Sequence, residues 1–480
     1  MKKYMGNKDK ILPQIYKNVV EFVDEDINSL IDAFSGTTNV GRYFKENGFD
    51  VISNDINDLS YVLGKCYIEN SGLPEFKKLF DFCKFNEQLE KLKNTDVFKS
   101  AQKKIFSDNK NVLTKEFIKK INNSNYHIVL VYLSYFASEN DYDDPIFEPY
   151  NFITKNYTEF GGNARYINLV YKKTLENIKR RLRTDGINEW RLIDKFYKYP
   201  YDIKYLIELE KFMISTNNRD LQILQKLINK PYLAGSRKFF SKDHAYRIDV
   251  ILNTLEYWLM KKALKQNEFY VLLTALIESV TIFSNTSATY QAFYKDYRAN
   301  TKQEFRLYIP ELSFNRTNVK ILQEDATKTI VNEVADVLYL DPPYNWRQYD
   351  SNYHLLNTIA KYHNIEDINA FEKGIVGASG ENRIEKLDYT SFNIKGFVEI
   401  LISLIKKSKA KYIVLSYSDS ESNHTKKDIE GTINTISEFF ADKSIFSKYE
   451  LVKIESINFE SRKGNKKEKV NELLFLGKKL

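Results

Sequence analysis

The sequence predicts an α/β fold: a doubly wound, mostly parallel sheet interrupted by a large, mostly helical insertion. Three observations lead to this prediction. Short apolar runs that end in turns lie near both ends of the chain, helical periodicity fills the middle, and the 480 residues include only 17 Gly and 9 Pro to break helices. We expect residues 1–68 and 319–480 to form the sheet domain and residues 69–318 to form the insertion.

The first 55 residues have the pattern of a strand, a helix and a second strand. The apolar run Leu30–Phe34 ends in a turn at Ser35-Gly36, and Val40–Asn47 has helical periodicity with Gly48 at its carboxyl end. The second strand is Val51–Asn54. A strand, a helix and a strand within about 25 residues predict a parallel unit.

Residues 56–318 have a different pattern, in which helical periodicity dominates and Lys and Tyr are frequent. We predict long helices over Leu206–Ile228 and over Ile248–Phe283. The polar stretch Asn109–Asn125 is expected to include a surface linker. No repeat of fixed period is present in the sequence.

The α/β pattern returns near residue 319. An amphipathic helix is predicted over Phe397–Lys407. A terminal pair of strands is expected around the basic loop 462–469. The predicted strands of this part are Val319–Leu322, Asp336–Leu340, Lys411–Ser416, Tyr449–Asn458 and Glu472–Leu476.

Composition narrows the class of protein. Hydrophobic residues make up 43% of the chain and charged residues 28%, the balance of a soluble globular protein and not of a disordered one. With only two cysteines, Cys66 and Cys83, and five His, neither a disulfide framework nor a metal site is expected. The net charge of +8 suits a nucleic-acid partner, but Lys-rich enzymes without such a partner carry similar charges.

Neither a secretion signal nor a membrane span is expected. The first residues lead into a mixed polar segment instead of an apolar core. The longest apolar stretches are Ile128–Ala137, which is too short to cross a bilayer, and Phe269–Phe283, which contains Glu278. We therefore expect a cytoplasmic protein with no membrane partner.

The most specific signal is the tetrapeptide Asp341-Pro342-Pro343-Tyr344, directly after the apolar strand that ends at Leu340. Ligands of open α/β sheets bind beyond the carboxyl ends of the strands. An Asp carboxylate and a Pro carbonyl form a pair of acceptors for an amino group with two hydrogens, and Tyr offers a flat face to a planar base. The alternative is a rigid turn with an exposed Asp.

A second signal is the turn Phe34-Ser35-Gly36-Thr37-Thr38, with Asp55 placed 19 residues after Gly36. A glycine turn lets a nucleotide-like ligand approach the backbone, and an acid about 20 residues later can bind ribose hydroxyls. Sites for NAD, FAD and S-adenosylmethionine share this pattern, and a turn without a ligand is the alternative. The amino-terminal segment Lys3–Lys8 is uninformative by itself.

These segments, in this order, resemble the Dam-like, alpha-group adenine-specific DNA methyltransferase family. The resemblance covers residues 1–68 and 284–480 and is thin over 70–283. It implies a Rossmann-like, S-adenosylmethionine-dependent methyltransferase sheet. Further segments similar to family motifs are Ser284–Thr286, Gln323–Ala326, Arg347–Tyr349, Asn352–Leu356, Leu415–Ser418 and Val470–Leu474.

The resemblance implies a role for individual residues. The Asp341 carboxylate and the Pro342 carbonyl would hold the amine of a flipped adenine, Pro343 would complete the motif, and Tyr344 would stack on the base. Thr38 stands where the family usually has a second glycine, and its Cβ is expected to restrict the turn or narrow the cofactor pocket. The implied contacts with S-adenosylmethionine are Tyr4, Lys8, Phe34, Ser35, Gly36, Asp55, Asp325 and Asp341.

The sequence also offers candidates for DNA contact. Arg180 and Arg181 belong to a basic run with helical spacing, Arg347 follows the tetrapeptide, and the terminal loop carries Arg462 and Lys463. We expect phosphate contacts from these residues. For the helical run, a solvated face without a partner is an equal alternative.

The function expected from the resemblance is site-specific methylation of adenine in double-stranded DNA by base flipping, within a restriction–modification system and with a cognate endonuclease as partner. One alternative is a methyltransferase for RNA or for a protein amide nitrogen. Another is a DNA-binding relative with weak catalysis, which Thr38 makes conceivable. An NAD-dependent oxidoreductase would leave the tetrapeptide unexplained.

Overall fold

A computed structural model of the chain describes residues 8–109, 113–122, 124–142, 144–158, 165–198, 204–228, 237–287, 289–343, 349–376, 379–382, 396–419, 429–457 and 469–480. Within these residues the protein is a mixed α/β structure with one seven-stranded sheet and many helices. The α/β class expected from the sequence is therefore confirmed.

The strands of the large sheet come from the two ends of the chain. Their order is β3-β2-β1-β4-β7-β9-β8, and it changes direction between β1 and β4. The first five are parallel, whereas β9 is antiparallel to both β7 and β8. The strands are β1 (Ser29–Asp32), β2 (Asp50–Asn54), β3 (Val319–Leu322), β4 (Val337–Leu340), the small hairpin β5 (Ile375–Val376) and β6 (Glu381–Asn382), β7 (Tyr412–Ser418), β8 (Phe446–Ile457) and β9 (Lys469–Lys479).

Helices lie before, between and after these strands. The described helices are α1 (Leu12–Phe22), α2 (Asn39–Glu46), α3 (Asp58–Tyr67), α4 (Lys77–Phe80), α5 (Cys83–Leu92), α6 (Asp96–Asn109), α7 (Lys115–Ile121), α8 (Asn125–Tyr135), α9 (Phe152–Tyr157), α10 (Arg165–Thr184), α11 (Trp190–Lys198), α12 (Lys204–Ser215), α13 (Leu221–Ile228), α14 (Lys242–Met260), α15 (Gln266–Phe283), α16 (Ala326–Asn332), α17 (Tyr349–Lys361), α18 (Ile368–Gly374), α19 (Phe397–Lys407) and α20 (Ile429–Ala441). Short 3-10 turns lie at Glu139–Asp141, Ala299–Lys302 and Tyr362–Asn364.

Apolar side chains cover both faces of the sheet. Along β1, Leu30 and Ile31 point to opposite faces, as successive residues of a strand do. Leu30 belongs to a core with α1 and α2, while Ile31 belongs to a core with α16, α19 and α20. The central strands are thus buried on both sides, which explains their continuous apolar runs.

The helical part of the chain has two further cores. The larger one combines α4–α9, α14 and α15 with α3 and α17, two helices that lie next to the sheet strands in sequence. The smaller one is made by α10–α13 alone. Within the described residues, no strand of the large sheet comes from positions 55–318. The division into a sheet domain and an insertion stays a prediction.

Local signals located several elements well. The predicted bounds of β3 and α19 match the structure, and those of β1, β2 and β4 differ by at most two residues. Two predicted long helices are each split in two, since Asn217 and Lys262 adopt left-handed backbone conformations with φ of 49° and 57°.

The stretch Asn109–Asn125, in which a surface linker was expected, contains the helix Lys115–Ile121, and the linker stays a prediction. The Thr114 side chain caps this helix by accepting a hydrogen bond from the Phe117 N–H at 3.3 Å. No helix in the described part of the chain is long and apolar enough to cross a membrane.

A carboxylate joins the early and late strands of the sheet at the amino-terminal end of β4. Asp336 Oδ2 accepts hydrogen bonds from Asn28 N at 2.9 Å, Ser29 N at 3.0 Å and Ser29 Oγ at 2.7 Å. The Asp336 N–H donates to Ser29 Oγ at 2.9 Å. This cluster aligns β1 with β4 across 307 residues of sequence.

We predict that Asp336→Ala lowers the free energy of unfolding by about 2 kcal/mol, because three donors lose their acceptor. Urea denaturation followed by circular dichroism measures the change. The control is Glu333→Ala, which removes a single ion pair to the exposed Lys320 and should cost under about 1 kcal/mol. Equal losses in the two variants would contradict the proposed strength of the Asp336 cluster.

Candidate functional site

The candidate site lies where the order of the sheet changes direction. β1 and β4 are adjacent and parallel, with Asp32 paired in register with Tyr339. Their carboxyl ends therefore meet at one edge of the sheet. The Ala33 N–H donates to the Tyr339 carbonyl at 3.2 Å, so the turn after β1 starts beside the residues that follow β4.

Asp341 is the first residue after β4 and shares a buried cation with a second carboxylate. The Lys8 Nζ lies 3.2 Å from Asp341 Oδ2 and 2.7 Å from Glu472 Oε1. Lys8 and Glu472 are buried, and the Asp341 side chain is 19% exposed. The Ser416 hydroxyl on β7 also donates to Glu472. Lys8, Ser416 on β7 and Glu472 on β9 thus form one buried network that reaches Asp341 through the Lys8 ammonium.

The charge of Asp341 depends on this environment. Burial raises the pKa of Asp341 to about 6, with the Lys8 ammonium opposing the rise and the Glu472 carboxylate adding to it. The group is therefore ionised at neutral pH, when it accepts hydrogen bonds. Pro342, which is buried, and the half-buried Pro343 follow it directly.

The glycine turn after β1 is held by the acid at the end of β2. Gly36, with φ of 48°, donates its N–H to Asp55 Oδ2 at 2.8 Å. Asp55 Oδ1 accepts from the Asn57 N–H and from its side-chain amide, both at 3.0 Å. Burial raises the pKa of Asp55, while these hydrogen bonds oppose the rise. Gly36 and Asp55, which the sequence suggested as partners around one ligand, are in direct contact.

Thr38 adopts the conformation that explains why a glycine is usual at its position. Its φ is 64°, in the left-handed region, and its side chain is fully buried. The hydroxyl donates to the Thr37 carbonyl at 2.6 Å. A left-handed conformation costs a residue with a Cβ about 1–2 kcal/mol. The turn therefore forms with Thr38 in place, at an energetic cost.

Asn54 is a site residue that the sequence reasoning missed. Its side-chain amide donates to the Ala33 carbonyl at 3.2 Å and to the Glu324 carbonyl at 3.1 Å, and its Oδ1 accepts from the Glu324 N–H at 3.2 Å. It thereby connects the segments that follow β1 and β3. Asp325 comes next and caps α16, accepting from the Thr327 N–H at 2.8 Å.

Asp32 is a second residue that was missed. It ends β1, is buried, and accepts a hydrogen bond from the Gly41 N–H at 3.2 Å. Burial raises the pKa of Asp32 to about 8, the Gly41 bond opposes this, and the charges of Asp341 and Asp55 add to it. An acid at the end of an apolar strand, two residues before Phe34, was the available signal.

The other predicted residues fall into three groups. Phe34 and Ser35 lie in the glycine turn, and the Ser35 N–H donates to the Asn54 carbonyl at 2.9 Å. Arg180 is exposed on α10, whereas Arg181 of the same helix forms an ion pair of 2.5 Å with the buried Asp220. The predictions for Tyr4, Tyr344, Arg347, Arg462 and Lys463 lie outside the described residues.

Comparison with protein families identifies the class. The chain belongs to the D12 class N6 adenine-specific DNA methyltransferase family, whose model matches residues 4–142 and 189–374. The matched segments contain Lys8, Asp55 and Asp341, and they leave out residues 143–188. The resemblance found from the motifs is therefore confirmed at the level of the family.

Individual relatives carry names of modification enzymes. The chain is 25% identical to the type II methyltransferase M.FokI of Planomicrobium okeanokoites, covering 90% of this chain and 47% of that protein. It is 28% identical to M.NlaIII of Neisseria lactamica, covering 63% and 84%, and 24% identical to the modification methylase StsI of Streptococcus sanguinis, covering 98% and 51%. The chain spans about half the length of M.FokI and StsI.

We predict that Lys8→Met destabilises the protein more at pH 8 than at pH 5. Without the ammonium, which lowers the pKa of Asp341, two buried carboxylates face each other and that pKa rises further above its ordinary value. The folded state then resists an ionisation whose midpoint in the unfolded chain is near pH 4, so the loss of stability grows as pH rises from that value to the raised folded pKa and is complete above it. Urea denaturation at both pH values should show a loss of about 3 kcal/mol at pH 8.

The control for this prediction is Lys17→Met on α1, where an exposed lysine pairs with Glu21 at 3.7 Å. Its effect should be small at both pH values. A loss in Lys8→Met that is the same at pH 5 and pH 8 would contradict the electrostatic role of Lys8.

Proposed function

We propose that this protein is a site-specific DNA adenine methyltransferase that transfers a methyl group from S-adenosylmethionine to the exocyclic amine of a flipped adenine in double-stranded DNA. The observation that carries the proposal is the position of Asp341 and Pro342 beyond β4, with the Asp341 carboxylate held by Lys8. Family membership supports the same reaction. The names of the relatives support a role as the modification enzyme of a restriction–modification system, with a cognate endonuclease as partner.

The sheet supports a Rossmann-like methyltransferase domain. Its five parallel strands follow the order β3-β2-β1-β4-β7, as in doubly wound sheets, and helices pack on both faces. Such sheets bind ligands where the strand order changes direction, which here lies between β1 and β4. We assign residues 1–68 and 319–480 to this domain and residues 69–318 to a helical insertion that contributes to DNA target recognition.

The charges at the site fit S-adenosylmethionine. Burial raises the pKa of Asp32 to about 8, and the negative charges of Asp341 and Asp55 add to this rise. A ligand with a sulfonium and an ammonium group would relieve this repulsion. Tyr4, Lys8, Phe34, Ser35, Gly36, Asp55, Asp325 and Asp341 are the proposed cofactor contacts, with Asp55 on the ribose hydroxyls.

The proposed mechanism assigns alignment to the protein. S-adenosylmethionine supplies an activated methyl group when bound. The lone pair of an aromatic amine is delocalised into the ring, so the amine is a poor nucleophile. The Asp341 carboxylate and the Pro342 carbonyl accept its two hydrogens and favour a pyramidal nitrogen that directs the lone pair to the methyl carbon. Pro343 stiffens the turn and Tyr344 stacks on the flipped base.

Substrate and partner assignments extend beyond the site. Arg180, Arg181, Arg347, Arg462 and Lys463 are proposed to contact DNA phosphates. An RNA or protein-amide substrate would use the same chemistry at Asp341. The strained turn at Thr38 favours, as a second candidate, a relative that binds DNA but methylates it slowly.

The decisive experiment supplies the purified protein with unmethylated bacterial-virus DNA and methyl-labelled S-adenosylmethionine. The DNA is then digested to nucleosides for mass spectrometry. Label on the adenine amine is expected. Cofactor binding without labelled DNA would overturn the DNA assignment, and parallel reactions with RNA and protein would identify the substrate. Absence of both binding and transfer would overturn the methyltransferase assignment.

We predict that Asp341→Asn lowers the rate of methyl transfer about 100- to 1,000-fold, because the amide offers a weaker acceptor than the carboxylate at this position. Cofactor affinity, measured by calorimetry, should change only a few-fold. The matched control is Asp336→Asn at the opposite end of β4, which should leave the rate near that of the parent. Normal turnover in Asp341→Asn would remove Asp341 from its proposed role.

We predict that Asp55→Ala weakens binding of S-adenosylmethionine at least about tenfold, since the loss of a charge-assisted hydrogen bond costs roughly 1.5–3 kcal/mol. Calorimetry measures the affinity. The control is Asp50→Ala at the other end of β2, where the acid binds Asn318 instead of the turn. An Asp55→Ala variant with the parent affinity would exclude Asp55 from the ribose site.

A further inference from the structure

Four consecutive helices carry almost all of the net charge of the chain. Residues 165–198 and 204–228, which form α10–α13, contain 14 Lys and Arg against 7 Asp and Glu, a net charge of +7. The whole chain has a net charge of +8. The remaining residues are therefore close to neutral, and the positive charge is concentrated in this basic helical unit.

The basic helical unit has a hydrophobic core of its own. Ten buried side chains form it, and every one lies on α10–α13. Apolar stripes therefore occupy the inner faces of these helices and leave the basic residues outside. The buried residues are Leu175, Ile178, Leu182, Ile193, Phe196, Leu206, Leu209, Met213, Leu224 and Leu227.

Basic residues form a stripe on each of two adjacent helices. On α10, Lys172, Lys179 and Arg183 are spaced by seven and four residues and so share one face. On α11, Arg191 and Lys195 are four residues apart and both exposed. The α11 stripe lies opposite the apolar face of its helix, and the α10 stripe lies beside the apolar face of its helix.

Trp190 brings the two stripes together. The guanidinium of Arg183 lies 5.0 Å from the centre of its ring, that of Arg191 lies 5.4 Å away, and the Lys179 ammonium lies 5.8 Å away. Cations attracted to one aromatic face are held near each other despite their repulsion. We call Lys172, Lys179, Arg183, Trp190, Arg191 and Lys195 the Trp190 surface.

Acidic neighbours compensate little of this charge. Lys179 pairs with Asp194 at 2.5 Å. Within the described part of the chain, Lys172, Arg183, Arg191 and Lys195 have no ion pair. On other faces of the unit, Arg181 pairs with Asp220 and Arg219 with Asp185. The Trp190 surface thus carries four cations whose charge no described ion pair offsets, which fits an anionic partner.

We propose that the Trp190 surface docks on the phosphate backbone of duplex DNA and adds affinity without reading sequence. This proposal rests on the proposed function, which makes DNA the substrate. From Lys172 to Arg183 the α10 stripe extends about 16 Å, the length of about five phosphates along one strand. Phosphate contacts position a protein but carry no base information. All of α10 lies in residues 143–188, outside the segments matched by the family model.

The test compares two variants with the same change of charge. The first replaces three exposed cations of the surface: Arg183→Gln, Arg191→Gln and Lys195→Gln. The matched control replaces three exposed lysines that each pair with a nearby glutamate: Lys77→Gln, Lys93→Gln and Lys120→Gln. All six side chains are exposed, and circular dichroism checks that both variants fold.

Binding to a duplex of random sequence is measured by fluorescence anisotropy over a range of salt concentrations. For the surface variant we expect at least tenfold weaker binding at about 0.1 M salt, and a slope of log affinity against log salt that is smaller by about 2.7 for three lost contacts. The control variant should match the parent. Affinity for S-adenosylmethionine should be unchanged in both.

The outcomes separate this proposal from the proposed function. A surface variant that binds the duplex with the parent affinity and salt slope overturns the docking proposal, whether or not the parent methylates DNA. The docking proposal is supported if the parent and control proteins methylate DNA and the surface variant has a raised KM for DNA with the kcat of the parent. If the surface variant keeps its binding to duplex DNA but loses binding to duplex RNA or to polyglutamate, the surface has a different anionic partner and its assignment to DNA is overturned.

Discussion

The candidate site depends on one buried ammonium group. Lys8 lies between Asp341 and Glu472, two carboxylates that could not both stay ionised in a largely dry environment without a cation. Burial raises the pKa of Asp341 to about 6, with the Lys8 ammonium opposing the rise and the Glu472 carboxylate adding to it, which leaves an acceptor at neutral pH. The same contacts tie the segment before α1 to β4 and β9. The contacts that affect the pKa of Asp341 are therefore also contacts that hold distant parts of the chain together at the sheet.

The sheet brings this arrangement about because its neighbours in space are distant in sequence. β1 pairs with β2 on one side and with β4 on the other, although 304 positions separate Asp32 from Asp336. Hydrogen bonds to Asp336 join β1 to β4 at one end of the sheet, and the Asn54 side chain joins the segments that follow β1 and β3 at the other end. A long helical region can lie between the two halves because the registration of the strands is secured at both ends.

Sequence patterns located what is encoded locally. Short apolar runs bounded by turns gave β3 and α19 with the correct bounds, and the tetrapeptide after β4 was found because its chemistry lies in four consecutive residues. The partnership of Lys8 with Glu472 spans 464 residues and has no local signal. Asn54 and Asp32 were missed for the same reason, since an amide or an acid at the end of a strand acquires its partners only when other strands arrive. The capped helix Lys115–Ile121 was overlooked in a polar stretch.

The distance in sequence between Lys8 and Glu472 also sets an order of events during synthesis. At roughly 5–20 residues per second, a ribosome needs on the order of half a minute or more to travel from the first to the second. Throughout that interval Lys8 has no Glu472 to bind, and the strand that carries it does not exist. In a nascent chain, the Glu472 carboxylate is therefore still missing from the charged groups around Asp341. The buried network of Lys8, Asp341 and Glu472 is complete only after β9 has been synthesised.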